Sequence, residues 1–115
     1  KGNRYYFLDR KKDLIIKGGI NIVPMEIEEI IYEHNEILEC VVVGIKDKFQ
    51  GEEIAAVCVK SSFKNEDDLK AEILELCKSK LSSYKIPKKI FFWKEIPKTA
   101  SHKLLRKDVR LKINS

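Results

Sequence analysis

The sequence predicts one small α/β domain of the α+β kind: a mainly antiparallel sheet of about three strands flanked by helices, with an N-terminal β-hairpin. Three observations lead there. Strand-like runs at 37–45, 54–60 and 90–93 alternate with helical-period runs at 24–34, 65–81 and 101–109. The segments between them are short and carry Gly, Pro, Asn and Ser. At 115 residues the chain can bury roughly two thirds of the surface its unfolded form exposes, which suffices for a single core. There is no internal repeat, low-complexity segment or domain boundary.

Taken in order, Tyr5 to Leu8 is rich in aromatic strand formers, and Asp9 to Asp13 interrupts it with five charged residues before Leu14 to Ile16 resumes an apolar run. That order predicts a hairpin-like arrangement about a charged turn. Gly18 and Gly19 follow, where the backbone can take positive φ or approach a ligand closely, and they predict a bend into a helix. Pro24 suits the first turn of that helix because its missing N–H would go unbonded there. Ile27, Ile30, Ile31 and His34 share one face, while Glu26, Glu28, Glu29 and Glu33 cover the others. Ile37 to Ile45 is β-branched and long enough for a central strand buried on both faces. Asp47 to Glu52 reads as a loop turning at Gly51, and Ile54 to Lys60 returns antiparallel. Asn65 caps the next helix, whose buried stripe is Leu69, Ile73, Leu76 and Leu81. Pro87 disfavours helix at Ile86, so this helix ends across Ser82 to Ile86. Ile90 to Trp93 is the third main strand, and Ser101 caps a last helix with Leu104, Leu105 and Val109 inward.

The 23 basic and 18 acidic residues give a formal charge of +5. The charges are interleaved, as in Lys46-Asp47-Lys48, which reads as solvated faces rather than as a polyanion-binding block. Cys40, Cys58 and Cys77 are odd in number and far apart, without a C-x-x-C pair. They fit small core residues in a reducing compartment, not a disulfide scaffold or a zinc site. No apolar run approaches the ~20 residues that span a bilayer. The expected location is the cytoplasm, with peripheral membrane association of a parent protein left open. The chain starts at Lys1 and its one Met is Met25, so it is expected to be part of a longer protein.

Two motifs bracket the pattern: DRKKDLIIKGGINIVPMEIE from Asp9 to Glu28, and IPKTASHKLLR from Ile96 to Arg106. Their order and spacing resemble the C-terminal domain of the adenylate-forming superfamily, which includes acyl-CoA synthetases, aryl-CoA ligases, luciferases and peptide-synthetase adenylation domains. The resemblance covers essentially the whole chain. It implies a parent enzyme that joins a carboxylic acid to CoA with Mg-ATP, through an acyl-adenylate. The partner of this domain is then its own N-terminal adenylation domain, which holds most of the ATP and Mg, and the fragment alone is inactive. The form IIKGGINIVPMEIEE resembles fatty-acyl and related acid–CoA ligases more than peptide-synthetase domains, whose segment tends to carry Arg after its glycine.

The resemblance also assigns residues. Lys103 matches the adenylation lysine: a cation on a long stem, able to reach the α-phosphate in a site built by another domain. Coulomb attraction at about 4 Å in an effective dielectric near 20 is about 4 kcal/mol, so losing it could lower the rate on the order of a hundredfold or more. A surface lysine among many is the alternative. His102 stands where the family usually has glycine, and a positive φ there would strain it. Arg10 matches the arginine on the ribose and phosphate region, a role suited to a fork of donors, with a salt bridge to Asp9 or Asp13 as alternative. Asn21 stands where relatives carry Arg or Gln near the phosphates, and its amide could donate a hydrogen bond. Lys12 matches the hinge, where a few torsions turn the whole domain between adenylation and thioester formation. Gly18, Gly19 and Ile20 should then face the pantetheine arm of CoA. No metal ligand is assigned.

Two readings of other classes compete. Lys85, Lys88, Lys89 and Lys94 around Phe91-Phe92-Trp93 invite a nucleic-acid module, with cations on phosphate and aromatics on bases. Strand geometry sends those aromatics alternately to both faces, so part of the set belongs to the core, and no nucleic-acid partner is expected. A purely structural domain would show no effect of changing Lys103.

Overall fold

The computed structural model describes residues 13–61 and 64–115. Its elements run β1 (Ile15–Lys17), β2 (Ile20–Ile22), α1 (Pro24–Ile31), β3 (Ile37–Asp47), β4 (Gly51–Lys60), α2 (Glu66–Lys80), β5 (Lys89–Phe92) and α3 (Arg106–Asn114), with a 3-10 turn at Ser83–Lys85. The sheet is mixed α+β in the way the pattern predicts, but it has five strands instead of about three, because the hairpin joins it.

Strand β4 is central. One side pairs antiparallel with β3, from Cys40↔Cys58 down to Asp47↔Gly51. The other side is shared by β1, which meets it at Lys17↔Gly51, and by β5, which runs parallel from Ala55↔Lys89 to Cys58↔Phe92. A parallel neighbour needs a crossover, and α2 with the 3-10 turn supplies it. The run at 37–45 is two-sided because β3 and β4 carry a core on each face. On one face Ile15, Ile22, Ile27, Ile31, Val42, Ile54, Leu69, Ile73 and Cys77 pack under α1 and α2. On the other, Val41, Val43, Ala55 and Val57 pack with Ile96 and Val109 under α3.

Three local expectations change. The hairpin turns at Gly18-Gly19, and Ile20–Ile22 pairs back on β1 before the helix begins. Its φ values of +57° and +84° give two consecutive left-handed residues, the twist that favours a two-residue hairpin turn. The arm Tyr5 to Leu8 and the charged turn up to Lys12 lie outside the described residues. The α2 stripe is Leu69, Ile73 and Cys77, with Leu74 and Leu81 at its margin. Leu76 is only half-buried and does not pack into this core. Helix α3 starts at Arg106 with Leu105 in the cap position, so Ser101 caps nothing; its hydroxyl lies 3.0 Å from Thr99 Oγ1 in the preceding loop. Asn65 does cap α2, its Oδ1 accepting from Asp67 N–H at 2.8 Å and Asp68 N–H at 3.2 Å.

Strand β3 is covered on both faces as expected but lies at the sheet edge, not at its centre, and side chains occupy its outward backbone groups. Cys40 N–H donates to the Tyr32 hydroxyl at 2.8 Å. Val42 N–H donates to Glu28 Oε2 at 2.7 Å, and Val42 C=O accepts from Arg106 at 3.0 Å. Asn114 accepts from Lys46 N–H at 3.0 Å and donates to Gly44 C=O at 3.1 Å. Such coverage removes the template that an open edge offers to another strand.

Candidate functional site

Two exposed loops carry the sequence-predicted residues. The first is the hairpin tip, where Gly18, Gly19, Ile20 and Asn21 are all exposed. Its arms are held by the core through Ile15 and Ile22, which are 1% and 0% exposed. Glu52 braces it from the side: its Oε1 accepts from Ile16 N–H at 2.8 Å, and its Oε2 accepts from Arg110 at 2.7 Å. Gly44 makes room for that carboxylate, since a Cβ there would come within 2.9 Å of it. Around the tip, Ile16, Ile20 and Phe49 remain 50%, 47% and 93% exposed, an apolar rim beside the two glycines.

The second is the loop that presents Lys103. Lys98 and Leu104 bridge antiparallel at its base. Thr99 N–H donates to Lys103 C=O at 2.8 Å, His102 N–H to Thr99 C=O at 2.9 Å, and Lys103 N–H to Thr99 Oγ1 at 3.1 Å. Five residues are thus closed into a tight turn with Lys103 exposed at its end. Closing it requires a left-handed residue, and His102 takes that position with φ +66°, the one non-glycine of positive φ among the described residues. The loop fixes the lysine's backbone while leaving its side chain in solvent.

These loops do not converge within the domain. The hairpin docks at the Asp47–Gly51 end of the central ladder, where Gly18 N–H reaches Gln50 C=O at 2.8 Å. The Lys103 loop is tied near the start of β3, where Lys98 Nζ lies 3.1 Å from Glu39 Oε1. That contact is an ion pair out of line for a hydrogen bond, as the otherwise unbonded Glu39 Oε1 indicates. Glu39 and Asp47 are eight residues apart, roughly 27 Å along a strand. The hairpin's apolar residues enter the core under α1 and α2, whereas Ile96 and Leu104 of the lysine loop enter the core under α3.

Arg10 and Lys12 lie outside the described residues. Asn21 sits opposite Ile16 in the hairpin, on the strand side away from the buried Ile15 and Ile22. The aromatic run is divided between the cores: Phe92 packs under α1 and α2, Phe91 and Trp93 under α3, with Lys112 Nζ 4.9 Å from the Trp93 ring centroid. It offers no continuous stacking platform. Among the described residues no group of three or more His, Cys, Asp and Glu could hold a metal ion, and no helix is long and apolar enough to cross a membrane.

Sequence reasoning missed Glu39, Lys98 and Arg106 and set Glu28 on an outer helix face, whereas Glu28 is buried and the four tie the lysine loop to β3 and α1. A signal existed for one of them. Arg106, Arg110 and Asn114 recur every four residues on α3, a polar stripe that lies on the sheet edge instead of facing solvent.

Residues 26–103 match the model of the AMP-binding enzyme C-terminal domain. A 2-succinylbenzoate–CoA ligase of Bacillus mycoides is 47% identical over 105 residues, 91% of this chain and 21% of that protein. A fatty acyl CoA synthetase structure from Mycobacterium tuberculosis aligns with a TM-score of 0.81 at 36% identity, covering 90% of this chain and 20% of that one. The o-succinylbenzoate CoA synthetase of Bacillus subtilis, solved with its acyl-adenylate intermediate, aligns with a TM-score of 0.79 at 39% identity, covering 90% and 20%. The chain spans about a fifth of the length of these relatives. Because the match runs from Glu26 in α1 to Lys103 at the loop tip, well over half of the chain, this protein belongs to the AMP-binding enzyme C-terminal domain family.

Proposed function

We propose that this domain is the mobile C-terminal lid of an AMP-forming acid–CoA ligase and serves both half-reactions from different surfaces. In the first, a carboxylate oxygen attacks the α-phosphorus of ATP, and the bond to pyrophosphate breaks. Lys103 supplies positive charge that interacts more strongly with the transition state than with ATP itself. In the second, the CoA thiolate attacks the acyl carbonyl carbon, and the bond to AMP breaks. Gly18, Gly19 and Ile20 then border the pantetheine arm, where missing side chains permit close approach. Arg10 and Asn21 contact the nucleotide, and Lys12 is the hinge.

The observation that carries this reading is the separation of the two exposed loops, at opposite ends of the β3–β4 ladder and on different cores. A rigid body so built offers one of them at a time to a single reaction centre, which supports rotation between the half-reactions. In this reading the metal that accompanies ATP is held by the companion N-terminal domain. The three buried free thiols support a reducing, cytosolic setting.

The acid is not read from this chain. The fatty-acid expectation rests on the form of the first motif, whereas identity to a 2-succinylbenzoate–CoA ligase, at 47%, exceeds the 36% to a fatty acyl CoA synthetase. We therefore favour an aromatic or dicarboxylic acid over a long-chain fatty acid. The test of the lid role separates the half-reactions in the complete ligase. Lys103→Ala should suppress acid-dependent ATP–pyrophosphate exchange about a hundredfold and spare thioester formation from supplied acyl-adenylate. Lys12→Pro should do the reverse. Equal loss of both steps in either variant counts against the assignment.

A further inference from the structure

A lysine side chain has a long, rotatable stem, so the aim of its ammonium depends on how firmly the backbone beneath it is held. Each leg of the Lys103 loop is tied down by an ion pair. On the incoming leg Ile96 is buried and Lys98 contacts Glu39 of β3. On the outgoing leg Arg106, three residues after Lys103, holds a tighter node. Its Nη1 donates to Val42 C=O at 3.0 Å and to Glu28 Oε2, and its Nη2 reaches Glu28 Oε1 at 3.4 Å. Glu28 Oε2 also accepts from Val42 N–H at 2.7 Å. The two side chains are only 19% and 11% exposed. One carboxylate and one guanidinium therefore join α1, the outer edge of β3 and the first turn of α3 at the root of the lysine loop.

We propose that Arg106, held by Glu28, is a positioning residue for Lys103: the pair fixes the root of the loop and so directs the ammonium during adenylate formation. This rests on the reading in which Lys103 serves that step. A buried ion pair is weak evidence for stability, because well-packed apolar residues often do as well, while its directional bonds do fix one arrangement of the elements they join. The geometry here is demanding, since the guanidinium serves a carbonyl and both oxygens of a carboxylate through two nitrogens of a planar fork, which a lysine's single nitrogen does not reproduce. Misplacing a reacting group by about 1 Å can lower a rate on the order of a hundredfold.

The test uses the complete ligase that carries this domain. Glu28→Gln keeps an acceptor for Val42 N–H but removes the charge that holds Arg106, and Arg106→Lys keeps a cation beside Glu28 but cannot make every bond. In both, kcat for ATP–pyrophosphate exchange should fall roughly 10- to 100-fold, with KM for ATP within about twofold. Thioester formation from supplied acyl-adenylate should change less than about threefold. The double variant should be little worse than the more severe single one, because both act through one node. Thermal unfolding measured on the same samples accompanies the rates, and Arg106→Lys is the variant expected to keep the fold. Unchanged exchange in both variants, equal loss of both half-reactions in a folded variant, or multiplicative losses in the double variant would overturn the positioning role. Lys103→Ala, run alongside, separates the two ideas. If it lowers exchange about a hundredfold while Glu28→Gln and Arg106→Lys leave exchange unchanged, positioning alone fails; if it leaves exchange intact, the lid reading fails and the positioning role falls with it.

Discussion

Gly18 donates its backbone N–H to the Gln50 carbonyl at 2.8 Å, locking the hairpin tip onto the turn between β3 and β4. This contact makes the two adjacent glycines unequal. A Cβ on Gly18 would stand 2.7 Å from Gln50 Oε1, whereas a Cβ on Gly19 would meet nothing within 4 Å. Beside Gly18 only the mobile end of the Gln50 side chain would have to give way, and Gly19 is open outward. Both have positive φ, so Ala at either position should lower stability by about 1 kcal/mol from backbone strain. In the complete ligase Gly19→Leu should leave the fold and the exchange reaction intact, yet slow thioester formation from supplied acyl-adenylate at least about tenfold, because the new side chain blocks a close approach. Normal thioester rates in that variant would remove Gly19 from the CoA-facing surface.

The central ladder was legible in the sequence because an unbroken β-branched run such as Val41 to Val43 suits a strand covered on both faces. The hairpin was less so. Ile15–Lys17 and Ile20–Ile22 are three residues each, too short for alternation to separate a returning strand from a lead into α1. Thr99, not Ser101, supplies the hydroxyl that organises the lysine loop, since it accepts from Lys103 N–H before the helix has begun. The Glu28–Arg106 node joins residues 78 apart, and no local pattern announces a contact of that range.

His102 adopts φ +66°, where a side chain crowds the following carbonyl. His102→Gly relieves about 1 kcal/mol of strain but adds unfolded-state freedom, so it should leave stability unchanged or raise it by up to about 1 kcal/mol. A β-branched His102→Val should lower it by about 1 kcal/mol or more. Chemical denaturation of both variants decides the point. Destabilisation by glycine as large as that by valine would mean that the imidazole itself holds the loop.

Asn114 replaces a neighbouring strand at the lower edge of β3, accepting from Lys46 N–H and donating to Gly44 C=O. Asn114→Ala should lower stability by about 1 kcal/mol, and amide exchange at Lys46 should quicken selectively. Asn114→Asp keeps the acceptor but sets a carboxylate oxygen against the Gly44 carbonyl, so it should be no better than alanine. Unaltered exchange at Lys46 in the alanine variant would show that water serves the edge equally well.

Cys40 and Cys58 face each other in the ladder, and Cys77 of α2 joins the same core. Burial, reinforced by Cys58, pushes the Cys40 thiol well above 9.0, and burial pushes Cys77 up to about 11. Above pH 9 these thiols ionise in the unfolded chain but stay protonated in the folded one. The folded state then binds more protons, so stability is complete below pH 9 and falls as pH rises, by up to about 1.4 kcal/mol per pH unit for each such thiol. The Cys77 contribution levels off near pH 11. Tyr32, raised to about 12 from 10.0, begins to act in the same direction above pH 10, so the clean window is pH 9 to 10. Denaturant unfolding under reducing conditions across that window should show the decline, and Cys40→Ala should make it shallower whatever its effect on absolute stability. A slope that Cys40→Ala and Cys77→Ala both leave unaltered would mean that the thiols titrate freely in the folded domain, and that solvent reaches a core that the packing of α1 and α2 should keep dry.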